Sequence, residues 1–122
     1  LRRILNFGHT VGHALEAVSG YSLSHGEGVG LGMVAAARIS VKLRELNASS
    51  SERIEKLVAK AGLPTRLDSS VDISAVTDRL KMDKKKKGDV VRFVLLKKIG
   101  MPFVTGSVGE SMIIEVLKGM RA

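Results

Sequence analysis

The chain has 122 residues, 44% of them hydrophobic and 26% charged, a balance that suits one soluble globular domain or one piece of a larger protein. Aromatic residues make up only 3% and tryptophan is absent, so the core must be built from Leu, Ile, Val, Ala and Met, which favours packed helices over a sandwich. The absence of cysteine excludes disulfides and thiolate metal sites. The formal charge of +8 points toward anionic partners, with much of the excess in Lys81 to Lys87, Arg92, Lys97 and Lys98.

Taken in order, Ile4, Phe7, Val11, Ala14, Leu15 and Val18 recur at three and four residues, which predicts a helix over 4–18 ended by Gly20. A second helix is expected from about His25 to Leu46, opening on Gly26, Gly28, Gly30 and Gly32 at alternate positions. Glycine costs a helix about 1 kcal/mol per residue relative to alanine. Four in succession therefore suggest that another backbone or a ligand comes close. A third helix is expected over 52–61, capped by Ser50 or Ser51 and stopped by Gly62, and a fourth opens after Ser70 or Asp72 with Ile73, Val76 and Leu80 as its buried stripe.

The run 81–89 then reads as a solvated basic loop. Residues 90–96 are rich in β-branched side chains and read as a strand, with a turn at Gly100-Met101-Pro102 and a short partner at 103–105. A last helix is expected over 110–119. The fold class is therefore mainly α, with a small β-hairpin near residues 90–105. No apolar run reaches the roughly 18 residues that span a bilayer, and residues 1–5 lack the apolar stretch of a secretory signal, so the expected location is the cytoplasm and no membrane partner is expected. Leu1 is not a methionine and Arg2 leads straight into the first motif, which reads as a piece of a longer protein.

All three histidines fall within the first 25 residues, in Asn6-Phe7-Gly8-His9-Thr10-Val11-Gly12-His13 and in His25-Gly26-Glu27. Imidazole is the commonest metal ligand and the commonest acid–base group near neutral pH. His9 and His13 are one helical turn apart and could grip a metal together. Helical zinc proteases carry Glu after the first histidine of such a pair, and Thr10 stands there, so the base of that chemistry is missing. The two rings need not share a task, because one can bind metal while the other moves a proton. Asn6 offers an amide for a substrate hydroxyl. Glu16 and Glu27 could each orient an imidazole from behind or form surface ion pairs, and for Glu16 the surface pair is the expectation.

These residues resemble one family. Arg2-x-x-Leu5-Asn6-Phe7-Gly8-His9-Thr10-x-Gly12-His13-Ala14-x-Glu16-Ala17, followed by Gly20-Tyr21 and His25-Gly26-Glu27-x-Val29-x-x-Gly32-Met33, is similar to the 3-dehydroquinate synthases. Asp83-Lys84-Lys85, Arg92-Phe93-Val94-Leu95-Leu96 and Ile99-Gly100 resemble the same family in the same order.

The resemblance implies that residues 1–122 form the C-terminal, metal- and substrate-binding helical domain of a two-domain enzyme, without its N-terminal NAD-binding domain. It also implies the reaction: 3-deoxy-D-arabino-heptulosonate 7-phosphate becomes 3-dehydroquinate and phosphate in the shikimate pathway. A carbinol is transiently oxidised, phosphate leaves, reduction and ring opening follow, and an intramolecular aldol step closes the new ring. The cofactors implied are NAD, regenerated in each turnover, and a divalent metal, usually zinc with cobalt as the alternative.

Carried over residue by residue, His9 and His25 are the metal ligands, with a third, a glutamate, upstream of Leu1. His13 is the catalytic group placed for proton transfer. Arg2 and Asn6 bind substrate, as does one lysine of the basic run, Lys85 ahead of Lys84. On this reading the positive charge serves an anionic sugar phosphate rather than nucleic acid, the full-length enzyme is a homodimer, and the 122-residue chain alone is inactive and binds zinc weakly. Gly28 and Gly30 depart from the family, which more often has alanine there. The competing expectations are sister cyclases making 2-deoxy-scyllo-inosose or 2-epi-5-epi-valiolone, a metal-dependent alcohol or glycerol dehydrogenase, and a non-enzymatic basic helical binding module. Arg2 beside Asn6 favours the heptulosonate.

Overall fold

The computed structural model describes residues 9–20, 22–44, 46–87, 93–98, 101–105 and 110–121. Five helices and one hairpin make up these residues: α1 (His9–Val18), α2 (His25–Lys42), α3 (Ala48–Lys60), α4 (Ile73–Lys87), β1 (Phe93–Lys98), β2 (Met101–Thr105) and α5 (Glu110–Gly119). The architecture is mainly helical, as the composition requires.

The centre of the fold is α2, which packs against α1, α3, α5 and β1. Its run of alanines and branched residues makes this possible, because small side chains let several neighbours approach one helix. Leu31, Val34, Ala35, Ala37 and Ile39 are essentially sealed from solvent. Around them close Val11, Ala14 and Leu15 of α1, Ile54 and Val58 of α3, the predicted stripe Ile73, Val76 and Leu80 of α4, and Ile113, Val116 and Leu117 of α5. Burying one such Leu, Ile or Val contributes roughly 1.5–3 kcal/mol, so the aliphatic set replaces the missing aromatics. The polar Ser40 within this core is satisfied, its hydroxyl donating to the Ala36 carbonyl at 2.8 Å. The connection after α3 is tied to the far end of the chain by the Leu67 amide, which donates to the Met120 carbonyl at 2.8 Å.

Several boundaries differ from the sequence reading, each for a local reason. Residues 4–8 of the expected first helix lie outside the described residues; the helix stops where expected, with Gly20 at φ +66°. Four residues before the predicted end, α2 stops at Lys42, because Arg44 adopts φ +61° and the turn brings the Leu46 amide back to the Ser40 carbonyl at 3.2 Å. Asn47, not Ser50 or Ser51, caps α3, its side-chain oxygen accepting from the Ser50 amide at 2.8 Å, while Ser51 is buried. Asp72 does cap α4, accepting from the Ala75 amide at 3.2 Å.

The basic run is corrected most: residues 81–87 are not a loop but the last turns of α4. Lysine is a good helix former, nothing breaks the run before Gly88, and cationic residues suit a helix C-terminus. The two strands pair antiparallel, with Phe93 opposite Thr105 and Leu95 opposite Phe103, and the register breaks between Leu96 and Lys98. Met101 and Pro102, read as turn residues, belong to β2, with Pro102 opposite Leu96. A two-stranded ribbon has only edge strands, where a residue without an N–H is tolerated.

Candidate metal and substrate site

All three histidines lie on α1 and α2, and the packing of these two helices is set by glycine. A Cβ on Gly12 would fall 2.5 Å from the Gly28 carbonyl oxygen and 2.9 Å from its carbon, so the backbones touch where the two residues meet. A Cβ on Gly28 would in turn fall 2.7 Å from Cγ of Glu16. Gly28, three residues after His25, thus serves the close approach that the helix-breaking composition implied.

The entry into α2 is fixed by a reciprocal cap. Ser24 Oγ accepts from the Glu27 amide at 3.1 Å, and the Glu27 carboxylate accepts from the Ser24 amide at 2.8 Å. Hydrogen bonds to the carboxylate from the Ser24 amide and, to a lesser extent, the Ser24 side chain hold the Glu27 carboxyl below its usual range. Glu27 therefore serves as a helix-capping residue. The signature Ser24-x-x-Glu27 is present in the sequence and could have been read there.

His25 follows that cap as the first residue of α2, with its side chain 68% exposed. Its Nδ1 lies 3.3 Å from each oxygen of Glu16. Glu16 was expected at the surface, yet it is buried at 6% exposure. The reason is the missing side chain at Gly28, which leaves room for the glutamate to run beneath the first turns of α2. His13 is exposed on α1. His9 opens α1, one turn before His13. Lys84 and Lys85 belong to the last turns of α4, which itself packs against α1. Arg2 and Asn6 lie outside the described residues.

The donor set tests well against a divalent cation. An imidazole backed by a carboxylate at Nδ1 is the arrangement that fixes a metal-binding histidine with Nε2 as its donor. Among the described residues no group of three or more His, Asp or Glu side chains converges.

This helical domain, with glycine-packed histidine helices, has the architecture of the sugar-phosphate cyclases. Over 96% of the chain it superposes on 35% of a 2-deoxy-scyllo-inosose synthase solved with carbaglucose-6-phosphate, NAD+ and Co2+, with a TM-score of 0.84 and 26% identity. The fold is shared equally, at a TM-score of 0.84 and 20% identity, with the 2-epi-5-epi-valiolone synthase of Streptomyces hygroscopicus subsp. jinggangensis 5008, solved with NAD+ and Zn2+; the match covers 94% of this chain and 32% of that one. Residues 1–86 match the family description "3-dehydroquinate synthase C-terminal". The 3-dehydroquinate synthase of Nostoc punctiforme is 51% identical over 98% of the chain. The chain belongs to the 3-dehydroquinate synthase family, and it spans about a third of the length of the curated relatives it matches.

Proposed function

We propose that this chain is the C-terminal metal- and substrate-binding domain of a 3-dehydroquinate synthase, acting in the cytoplasm with an N-terminal NAD-binding domain. The reaction is conversion of 3-deoxy-D-arabino-heptulosonate 7-phosphate to 3-dehydroquinate and phosphate. The observation that carries this reading is the 51% identity to a 3-dehydroquinate synthase across nearly the whole chain, against 20–26% for the sister cyclases that share the fold.

The residues divide the work by chemistry. His9 and His25 would hold the divalent metal, with zinc preferred over cobalt. Bound NAD supplies a hydride acceptor, and the bound cation lowers the pKa of the reacting carbinol and polarises its carbonyl. His13, exposed on α1 and one turn beyond His9, would accept and return a proton at the substrate. Arg2 engages a carboxylate or phosphate in bidentate fashion, Asn6 holds a hydroxyl, and Lys85 or Lys84 adds positive charge from the end of α4. The 122-residue chain alone is then inactive and weak in zinc binding, and the full-length protein works as a homodimer.

Phosphate release by the full-length protein with NAD and zinc tests the assignment, with the heptulosonate 7-phosphate, sedoheptulose 7-phosphate and glucose 6-phosphate offered in parallel. Release from the heptulosonate alone, abolished by His9→Ala and by His25→Ala, is the expected result. Release only from one of the other two sugar phosphates would transfer the chain to a sister cyclase.

A further inference from the structure

A carboxylate that is buried must find compensation, because an unpaired charge in the interior costs several kcal/mol. Glu16 is such a group. Its side chain is 9% exposed, and the described contact of both its oxygens is the same atom, Nδ1 of His25, at 3.3 Å. The partner is the reverse case: the His25 side chain is 68% exposed and stands on the first turn of a helix.

The pair is built into the backbone on both sides. The cap formed by Ser24 and Glu27 sets where α2 begins, and so where His25 stands. The contact of Gly12 with Gly28 brings α1 against that first stretch, and the bare Cα of Gly28 leaves the slot occupied by Cγ of Glu16. A carboxylate has no proton to give at neutral pH, so a neutral His25 can satisfy it only with the hydrogen on Nδ1. That choice leaves the lone pair on Nε2.

We infer that Glu16 is a positioning residue for His25: its buried carboxylate accepts the Nδ1–H and fixes the ring in the tautomer whose Nε2 donates to the divalent cation. The inference rests on the reading of His25 as a metal ligand. Glu16 acts through His25 and touches neither substrate nor cation.

Two measurements on the full-length protein test it. The first needs no metal. With 15N-labelled histidine in the metal-free protein, at a pH where the ring is neutral, His25 should be the Nδ1–H tautomer. Finding the Nε2–H tautomer, which free histidine side chains prefer, would overturn the inference outright.

The second is Co2+ affinity by competition with a chelating dye, read together with the visible spectrum of the bound cobalt. Loss of a carboxylate behind a ligating histidine weakens metal binding by about 10- to 100-fold. Glu16→Gln should lose that much and shift the cobalt spectrum, while the metal-free protein keeps its helical circular dichroism. His25→Ala should lose more. If His25→Ala binds cobalt as the unaltered protein does, the metal-ligand reading fails, and the inference with it. If His25→Ala loses cobalt while Glu16→Gln keeps its affinity within twofold and its spectrum, the ligand reading stands and the inference fails alone.

Discussion

The packing of α1 on α2 depends on Gly12 having no side chain, and Gly12→Ala measures how much. The added methyl would lie 2.5 Å from the Gly28 carbonyl oxygen, 2.9 Å from its carbon and 3.3 Å from the Val29 Cα. All three are backbone atoms, so no rotamer change relieves the clash and the helices must separate. Restoring an ordinary contact takes about 1 Å of movement, and a gap of that size forfeits a quarter to a half of the dispersion attraction across it. The affected contacts are those of Val11, Ala14 and Leu15 with the buried face of α2. Overpacking of this kind costs about 1–3 kcal/mol, and alanine's better helix propensity returns up to about 1 kcal/mol.

A net loss of about 1–2 kcal/mol is expected for Gly12→Ala, which at roughly 4 °C per kcal/mol for a domain of this size lowers Tm by about 4–8 °C. Gly26→Ala is the matched control, because nothing lies within 4 Å of its Cβ position and the same propensity gain appears unopposed. Urea denaturation followed by far-UV circular dichroism separates the two. A Gly12→Ala protein within about 0.5 kcal/mol of the parent, or a Gly26→Ala protein equally damaged, would refute the close-approach argument.

Three further outcomes follow from the packing and the caps. Ile39→Ala, at a fully sealed position of the central helix, should cost about 2–5 kcal/mol in urea denaturation, since its neighbours on several helices cannot collapse together into the cavity. Ser24→Ala removes the acceptor for the Glu27 amide and should cost about 1 kcal/mol by the same measurement. The Glu27 carboxyl is held below its ordinary value in the folded chain by the Ser24 hydrogen bonds, so its contribution to stability is present above the unfolded-state value and is lost as pH falls through the lower folded one. The difference in Tm between the parent and Glu27→Gln should accordingly close as the solution is acidified through the carboxylate range; a gap independent of pH there would contradict the assigned cap.

What could be read from the sequence was what repeats or what carries one chemistry. The stripe Ile73, Val76 and Leu80 is legible because helical burial imposes its own period, and the structure buries all three. The three histidines are legible because nothing else in the chain resembles them. The stop at Gly20 is legible because a left-handed turn favours glycine. The positions that were misread depend on partners distant in sequence or on competition between neighbours. Asn47 outcompetes Ser50 and Ser51 as a cap only once the turn through Arg44 has placed it. The lysines after Leu80 look like a loop by charge alone, yet each is compatible with continuing the helix. Glu16 reads as a surface residue because carboxylates usually are.

The glutamate is misread for a reason that lies outside α1. Its burial follows from a residue twelve positions later having no side chain, and one-residue patterns on α1 carry no trace of that. The alternating glycines at the start of α2 gave half of the answer, since their cost in helix stability implied a close neighbour. They could not say whether the neighbour was a ligand or the chain itself. The structure assigns Gly12 and Gly28 to contact between the helices and to the Glu16 side chain, and Gly30 to Leu63 and Val58. The glycine-rich stretch is therefore first a packing device, which brings the buried Glu16 carboxylate to the exposed ring of His25. The Ser24 and Glu27 cap fixes where His25 stands, and the backbone contact of Gly12 with Gly28 brings the buried Glu16 carboxylate within 3.3 Å of its Nδ1.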